Sequence, residues 1–260
     1  MRVPPVLASE TAHRLGAEFL LAARFLTRLP LGAAPPLEPG DLARAAWAFP
    51  LVGAGVGIIA ALVFGAALSL EVPPLVAALL ARAASALAPG ALHEDGVADM
   101  ADGLGGADHD HRLALMRDAR CGVYGVLALV IAVGSRAGAL AACGAGWGAA
   151  ALIAAHAVGR GGMSVALYSL PPARSDGLGA HAGEPEPAVV GWALGILILV
   201  AYLMLGWAAG LAALAAATIA MVLVGETARR FFGGQTGDVL GAIEQVGEAA
   251  TLIAAAAWAP

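Results

Sequence analysis

The sequence predicts an all-α polytopic membrane protein, and three observations carry this prediction. Hydrophobic residues make up 60% of the 260-residue chain, charged residues make up 13%, and the mean hydropathy is +0.82. Apolar runs recur at the length of a membrane helix or at twice that length. Charges are concentrated between these runs. We therefore expect about seven transmembrane helices, within a range of roughly six to eight, in one integral membrane domain covering residues 1–260.

Four apolar stretches provide the predicted spans: 45–92, 121–158, 188–224 and 239–259. The first three are each about twice the length of a span, so each should form a helical hairpin. Prolines, glycines and isolated charges indicate where these hairpins turn. The expected turns lie at Glu71–Pro74, Gly134–Arg136 and Gly206–Gly210.

The amino-terminal region is expected to lie on the membrane rather than cross it. Residues 15–34 are amphipathic and include Arg24, Arg28 and Pro30, which makes this segment too charged to insert easily. No apolar core followed by a small-residue cleavage site precedes it, so we expect no cleaved signal peptide.

Arginine positions orient the predicted hairpins. All 14 basic residues are arginines; four of them lie between residues 14 and 44, before the first hairpin, and seven lie in the segments 93–120, 160–187 and 226–238. Basic loops remain on the cytoplasmic side, so we expect these three segments to face the cytoplasm together. The net charge of −5 argues against nucleic-acid binding. Cys121 and Cys143 are too few for a disulfide framework and lack the pairing of a zinc site.

The most informative segment is acidic and runs from His93 to Gly106. In a helix Asp95, Asp99 and Asp102 lie at i, i+4 and i+7, within roughly 60° of one another, and form one acidic face. Hard carboxylate oxygens flanked by glycines suit Mg²⁺ or Mn²⁺ holding a phosphate. The alternative is an ordinary solvated loop between membrane helices.

Three further segments suggest anion binding. Arginines beside the acids can form paired hydrogen bonds with phosphate oxygens, and a glycine-rich turn entering a helix can present backbone N–H groups. The arginines of Arg112–Gly125 could equally be a positive-inside signal, and Gly159–Gly179 could equally be an ordinary cytoplasmic loop. No P-loop spacing is present, so ATP hydrolysis is not predicted. The segments are Arg112–Gly125, Gly159–Gly179 and Gly233–Glu248.

These segments, in this order and on this membrane pattern, resemble the cobalamin synthase family, the adenosylcobinamide-GDP ribazoletransferases. The resemblance also includes Phe25–Pro30 and extends over nearly the whole chain. It implies a Mg²⁺-dependent transferase of phosphorus-containing groups in the bacterial inner membrane. Such an enzyme joins α-ribazole, or its 5′-phosphate, to adenosylcobinamide-GDP and releases GMP, late in vitamin B12 biosynthesis. The lipid bilayer surrounds it, and a homo-oligomer or an association with other pathway enzymes is left open.

The resemblance also implies roles for individual residues. The expected metal ligands are Asp95, Asp99 and Asp102, with Glu94 as a further candidate. His93 or Asp238 is expected to accept the proton of the attacking hydroxyl. The expected substrate-binding residues are Arg117, Arg120, Arg160, Arg174, Gly105, Gly106, Thr236 and Glu248.

The chain departs from the family pattern at four positions. Glu94 stands where an apolar residue is usual and Gln245 where an acid is common, which puts in doubt Glu94 as a ligand and the role of Glu244–Glu248. Arg117 stands where lysine is common, and Cys121 where an aliphatic residue is common. None of these changes removes an aspartate of the acidic face.

Two other classes of membrane protein compete with this interpretation. An enzyme of the CDP-alcohol type also uses a helix-borne Asp-Gly-x-x-Asp pattern, but its longer continuation is absent here. A cation-coupled transporter predicts acids near the bilayer midplane and internal symmetry, whereas most acids here lie in one segment.

Overall fold

The computed structural model describes residues 5–32 and 36–260, with side chains described from residue 11 onward. Within these ranges it contains helices and loops, and its one isolated β-bridge joins Pro172 to Gln235. A turn of 3₁₀ helix, Ala46–Ala48, joins α2 to α3. The α-helices are α1 (Pro5–Leu26), α2 (Asp41–Ala45), α3 (Phe49–Ser69), α4 (Pro74–Leu87), α5 (Leu92–Gly103), α6 (His109–Leu115), α7 (Val123–Ala142), α8 (Ala145–Ser169), α9 (Gly177–Ala182), α10 (Pro187–Phe232) and α11 (Gly237–Ala256).

The predicted class, an all-α polytopic membrane protein, is confirmed. Five helical segments among the described residues are long and apolar enough to cross a membrane. The number becomes six if α4 and α5, which meet at a bend of 91°, count as one span. The 22-residue α1 is not among these segments, and it begins ten residues earlier than the predicted interfacial segment.

Helix α10 changes this count because its chain reverses in the middle. Gly206 has φ 72° and ψ −178°, which no α-helix contains, at the position where the sequence predicts a turn. Leu197 and Ala217, on opposite sides of this glycine, pack in the same hydrophobic cluster. A straight helix of this length would be about twice as long as the bilayer is thick. Helix α10 is therefore a hairpin of two spans, and the largest number of membrane spans among the described residues becomes seven.

The centre of the bundle is α8, and glycines bring α3 against it. A Cβ on Gly53 would collide with the backbone carbonyl of His156, and one on Gly57 would lie 2.7 Å from the Cα of Ile153. The Gly53-x-x-x-Gly57 spacing therefore packs two backbones together, as small residues do in membrane helices. The contacts run in opposite directions along the two helices, so α3 and α8 are antiparallel.

Helix α11 packs on another side of α8, also antiparallel. The Trp147 indole N–H donates to the carbonyl of Ala255 at 2.8 Å, while Gly159 lies against the backbone of Glu244. The start of α11 therefore lies beside the end of α8, and the ends of α5 and α10 join them there. We call this end of the bundle the site end.

One predicted turn is wrong. Helix α7 continues without a break through Gly134–Arg136, and the chain turns instead at Cys143–Gly144. Arg136 marked the expected turn because a charge inside a span is costly, but the structure offsets that cost by pairing it with Glu248. The shift also places Arg160 and its neighbours inside α8 rather than in a loop.

Candidate active site

Four aspartates come together at the site end. Helix α5 carries Asp95, Asp99 and Asp102 on one face, as the spacing predicts, and the first turn of α11 adds Asp238. Asp99 lies close enough to the other three for all of them to repel its charge. Helix α5 can approach the start of α11 this closely because Gly96 has no side chain. A Cβ there would lie 2.7 Å from the Asp238 carbonyl oxygen. Four like charges in one place favour a bound cation.

Asp102 has a second task in addition to its place on the acidic face. Its two carboxylate oxygens accept hydrogen bonds from the backbone N–H groups of Gly122, at 2.6 Å, and Gly125, at 2.8 Å. These groups begin α7, so Asp102 caps that helix from a different part of the chain. A Cβ at either glycine would overlap the carboxylate. Gly122 and Gly125 therefore position Asp102.

Arg174 is the predicted phosphate ligand that the structure brings to the aspartates. Its Nη2 lies 3.7 Å from the Asp238 Oδ2 and its Nε lies 3.9 Å from Asp176. The Nη1 is buried and has no hydrogen-bond partner among the described residues. A buried guanidinium donor without a partner is costly, so this group is ready to bind an anion.

Thr236 holds the start of α11 beneath this arginine. Its hydroxyl oxygen accepts from the Val239 backbone N–H at 3.2 Å and lies 3.2 Å from Asp238 Oδ2. The Gly233–Thr236 turn is joined to the loop after α8, because the Gln235 N–H donates to the Pro171 carbonyl at 2.8 Å. This connection places Arg174 over Asp238.

The two predicted arginines after α6 lie farther out and already have acidic partners. Arg117 donates to both carboxylate oxygens of Asp176, at 2.6 and 2.8 Å, and both side chains are exposed. Arg120 forms a paired contact with Asp118, and its hydrogen bonds lower the pKa of Asp118 to about 2. Neither arginine is in contact with an aspartate of the acidic face.

Gly105 and Gly106 form the turn between α5 and α6. A Cβ on Gly105 would lie 3.2 Å from the Tyr124 ring, and one on Gly106 would lie 2.7 Å from the backbone nitrogen of Arg112. The absence of side chains therefore lets this turn pack closely, which is a structural reason for glycine at both positions.

His93 lies behind the acidic face and lines a pocket together with Asp95 and Asp238. Its side chain is 1% exposed, and neither ring nitrogen has a hydrogen-bond partner in the described part of the chain. Its Nδ1 is 4.0 Å from a carboxylate oxygen of Glu244. Both predicted proton acceptors thus adjoin one pocket.

Three other predicted residues belong instead to a buried ionic network deeper in the bundle. Glu248 is 0% exposed and contacts Arg82 and Arg136, Glu94 contacts Arg82 at 3.4 Å, and Arg160 contacts Glu244 at 2.6 Å. The members, which come from five helices, are Arg82, Glu94, Arg136, His156, Arg160, Glu244 and Glu248. Thus Glu94 and Asp95, adjacent in sequence, point to different environments.

The ligand atoms of His156, Glu244 and Glu248 lie within 4.8 Å of one another and could hold a metal ion. The charges around them argue against this. The network contains Arg82, Arg136 and Arg160 against Glu94, Glu244 and Glu248, so three positive and three negative charges already balance. A divalent cation would leave an excess of buried positive charge.

Sequence reasoning missed Arg82, Arg136 and His156. The Nδ1 of His156 lies 2.9 Å from a carboxylate oxygen of Glu248. One feature of the sequence could have identified them, because all three are ionisable residues inside apolar runs. Such residues are usually paired with a residue of opposite charge. The identity of the partner is not visible locally, because Arg82 and Glu248 are 166 residues apart.

The fold and the site define a polytopic α-helical membrane protein whose aspartates, glycine turns and free arginine donor are suited to metal-assisted phosphate chemistry. The chain belongs to the cobalamin-5-phosphate synthase family, whose model matches residues 18–256.

Curated relatives agree over almost the full length. The chain is 45% identical over 252 residues to an adenosylcobinamide-GDP ribazoletransferase of Bradyrhizobium diazoefficiens, covering 96% of this chain and 97% of the relative. It is 42% identical over 253 residues to the protein of the same name from Azorhizobium caulinodans, covering 92% and 95%. The protein of that name from Rhizobium etli is 41% identical over 248 residues, with 90% and 94% covered. No solved structure matches the chain significantly.

Proposed function

We propose that this protein is an adenosylcobinamide-GDP ribazoletransferase, which joins α-ribazole or its 5′-phosphate to adenosylcobinamide-GDP and releases GMP. The observation that carries the proposal is the meeting of four aspartates with the unpartnered guanidinium donor of Arg174 beside one pocket. A pyrophosphate needs this combination, because its charges must be neutralised while its phosphorus is held in line for attack.

The donor set fits Mg²⁺. Asp95 is exposed, Asp99 is half-buried, and both offer hard carboxylate oxygens on adjacent turns of α5. Asp102 is the third candidate ligand, with its orientation fixed by the start of α7. Bound there, Mg²⁺ would supply the positive charge that neutralises the departing phosphate. Glu94 and Glu248 are assigned instead to the ionic network that supports the site.

The chemistry is a displacement at phosphorus. A ribose hydroxyl oxygen that is free in both α-ribazole and its 5′-phosphate forms a bond to the phosphorus that bears the cobinamide, the bond from that phosphorus to the GMP oxygen breaks, and the hydroxyl proton passes to His93 or Asp238. Arg174 holds the transferred group, while Arg117 and Arg120 lie farther out, each paired with an aspartate that a substrate phosphate would have to replace. Arg160 holds Glu244 next to His93 and acts through it.

The direct test offers purified protein adenosylcobinamide-GDP, Mg²⁺ and α-ribazole carrying ¹⁸O in its secondary ribose hydroxyls. We expect the complete corrinoid and GMP, with the label retained in the phosphodiester of the corrinoid. Label in GMP, or cobinamide phosphate as the main corrinoid product, would overturn the proposed attack. Absence of any corrinoid product would overturn the function.

We also propose that the site end faces the cytoplasm in the bacterial inner membrane, because the arginine-rich segments lie there. Single cysteines at the exposed positions Asp108, Ser175 and Arg230, in a version without the two native cysteines, should resist impermeant thiol reagents in intact spheroplasts. They should react once the membrane is opened. Labelling from outside before opening would reverse the orientation. Gln235 is unsuitable for this test because it is buried.

A further inference from the structure

The pocket beside the acidic face is apolar except at one wall. Phe25 of α1, Phe49 of α3, and Met163 and Leu167 of α8 line it. Its polar side chains are His93, Asp95 and Asp238. One wall therefore belongs to the acidic face, while the rest resembles a binding site for an uncharged ring.

His93 restricts what can occupy this pocket. It is buried, and both ring nitrogens are without a partner in the described part of the chain. An acyl chain of a lipid would leave those nitrogens unpaired at a cost comparable to a lost hydrogen bond. The occupant is expected to be apolar over most of its surface and polar at the edge that meets His93.

We propose that this pocket binds the aromatic base of the acceptor nucleoside, with its ribose directed toward Asp95 and Asp238. The proposal rests on the function proposed above and assigns one part of the substrate to one part of the site. Phe25 and Phe49 provide faces or edges against which a fused aromatic ring can pack. His93 provides the hydrogen bond to the polar edge of the nucleoside.

The other substrate parts fit this pocket less well. Guanine carries several hydrogen-bonding groups around its ring, and an apolar wall would leave them without partners. A corrin macrocycle carries amide side chains around its rim, and the apolar walls would leave these without partners as well. The acceptor base is flat, has few polar atoms, and carries its sugar at one edge. Binding here places the ribose hydroxyls at the aspartates, where the phosphorus is to be attacked.

The first test shortens the wall with Phe25→Leu and measures KM for each substrate separately. We expect KM for the acceptor nucleoside to rise about tenfold through lost ring packing, while kcat at saturation and KM for adenosylcobinamide-GDP change little. The matched control is Phe19→Leu, on the exposed side of the same helix and outside the pocket. It should change neither KM.

The second test changes the preference between two acceptor nucleosides. A variant that only lowered the amount of folded protein would leave this preference unchanged. Leu167→Phe should narrow the pocket and shift relative kcat/KM from a dimethylbenzimidazole nucleoside toward an unsubstituted benzimidazole nucleoside. A methyl-sized clash in an apolar pocket is worth about tenfold or more. Because the ratio is measured within one preparation, it does not depend on the amount of folded protein.

The outcomes separate this inference from the proposed function. If the wild type turns over but Phe25→Leu raises the donor KM instead, or if Leu167→Phe leaves the nucleoside ratio unchanged, the assignment of the pocket is wrong. Lipid that is retained by the wild type and lost from Leu167→Phe, with no change in that ratio, would identify a lipid site instead. If the wild type shows no turnover, equilibrium dialysis with the nucleoside alone decides the pocket: binding that Phe25→Leu weakens supports it, and no binding overturns it.

Discussion

Glu94 and Asp95 are adjacent on one helix, yet they belong to two groups of charges that the protein treats in opposite ways. Glu94 joins the buried ionic network, where three arginines and three glutamates balance. Asp95 joins the acidic face, where Asp99, Asp102 and Asp238 add charge of the same sign. Helix α11 shows the same division, with Asp238 on the acidic face and Glu244 in the network.

The difference shows which group is built for a ligand. A buried charge must be paired or it destabilises the fold, and the network meets this requirement within the protein. The acidic face, together with Asp238, lies at the end of the bundle, and among the described residues Arg174 is the arginine within ion-pair distance of one of these four aspartates. Its remaining charge is available for a cation and a substrate. The network should therefore control stability, and the acidic face should control turnover.

The largest effect is expected on the acidic face. Asp95→Asn or Asp99→Asn should lower turnover by more than about a hundredfold, because each removes charge and metal affinity with little change of shape. Steady-state GMP release by purified protein measures this, with thermal unfolding checked in parallel. Asp110→Asn, at a fully exposed position on α6, is the matched control and should behave as wild type. Near-normal activity of either variant at saturating Mg²⁺ would remove that residue from the site.

The next effect concerns stability and tests the network. Arg160→Met or Glu244→Met should each lower the free energy of unfolding by about 3–5 kcal/mol, because each leaves a buried charge without its partner. The double variant should recover much of this loss. Thermal unfolding in detergent measures all three proteins. If Arg160→Met unfolds like wild type and raises the KM for the GDP substrate at unchanged kcat, then Arg160 binds phosphate, as the sequence suggests, and our division of the two groups fails.

These two predictions differ in how far the sequence supports them. The acidic face follows from local spacing, because i, i+4 and i+7 positions share a helix face whatever that helix packs against. The network does not, since Arg82 and Glu248 meet only after the α3–α4 hairpin and α11 are in place. The turn predicted at Arg136 was wrong for the same reason. A rule based on local sequence treats a charge inside an apolar run as the end of a span, but in the folded protein Arg136 is paired with the distant Glu248. The arginine-rich segments do meet at the site end, as the sequence predicts, because they connect helices whose ends lie together there.

A smaller effect is expected at the border between the two groups. Arg174→Lys should lower kcat/KM for the GDP substrate by about tenfold, because an ammonium group cannot reproduce the paired donors of a guanidinium. Arg117→Lys is the control for replacing a guanidinium by an ammonium group elsewhere in this region, since Arg117 contacts the exposed Asp176 rather than the acidic face. Equal losses in the two variants would mean that Arg174 has no special place at the phosphate.

The smallest effect is expected at Arg120, which lies outside both groups. Its hydrogen bonds to Asp118 hold the pKa of that carboxyl near 2, below the ordinary value of 3.8. A lowered carboxyl pKa stabilises the fold above the ordinary value, and this contribution is lost as the pH falls from about 4 toward 2. Both side chains face solvent, so the contribution is small and screened by salt. Because this small contribution is fully present between pH 5 and 8, Arg120→Gln should lower the melting temperature there only slightly and by the same amount throughout. It should also raise the KM for the GDP substrate, by less than Arg174→Lys does. A large fall in melting temperature in that pH range would give Arg120 a structural role, and an unchanged KM would exclude it from the substrate path.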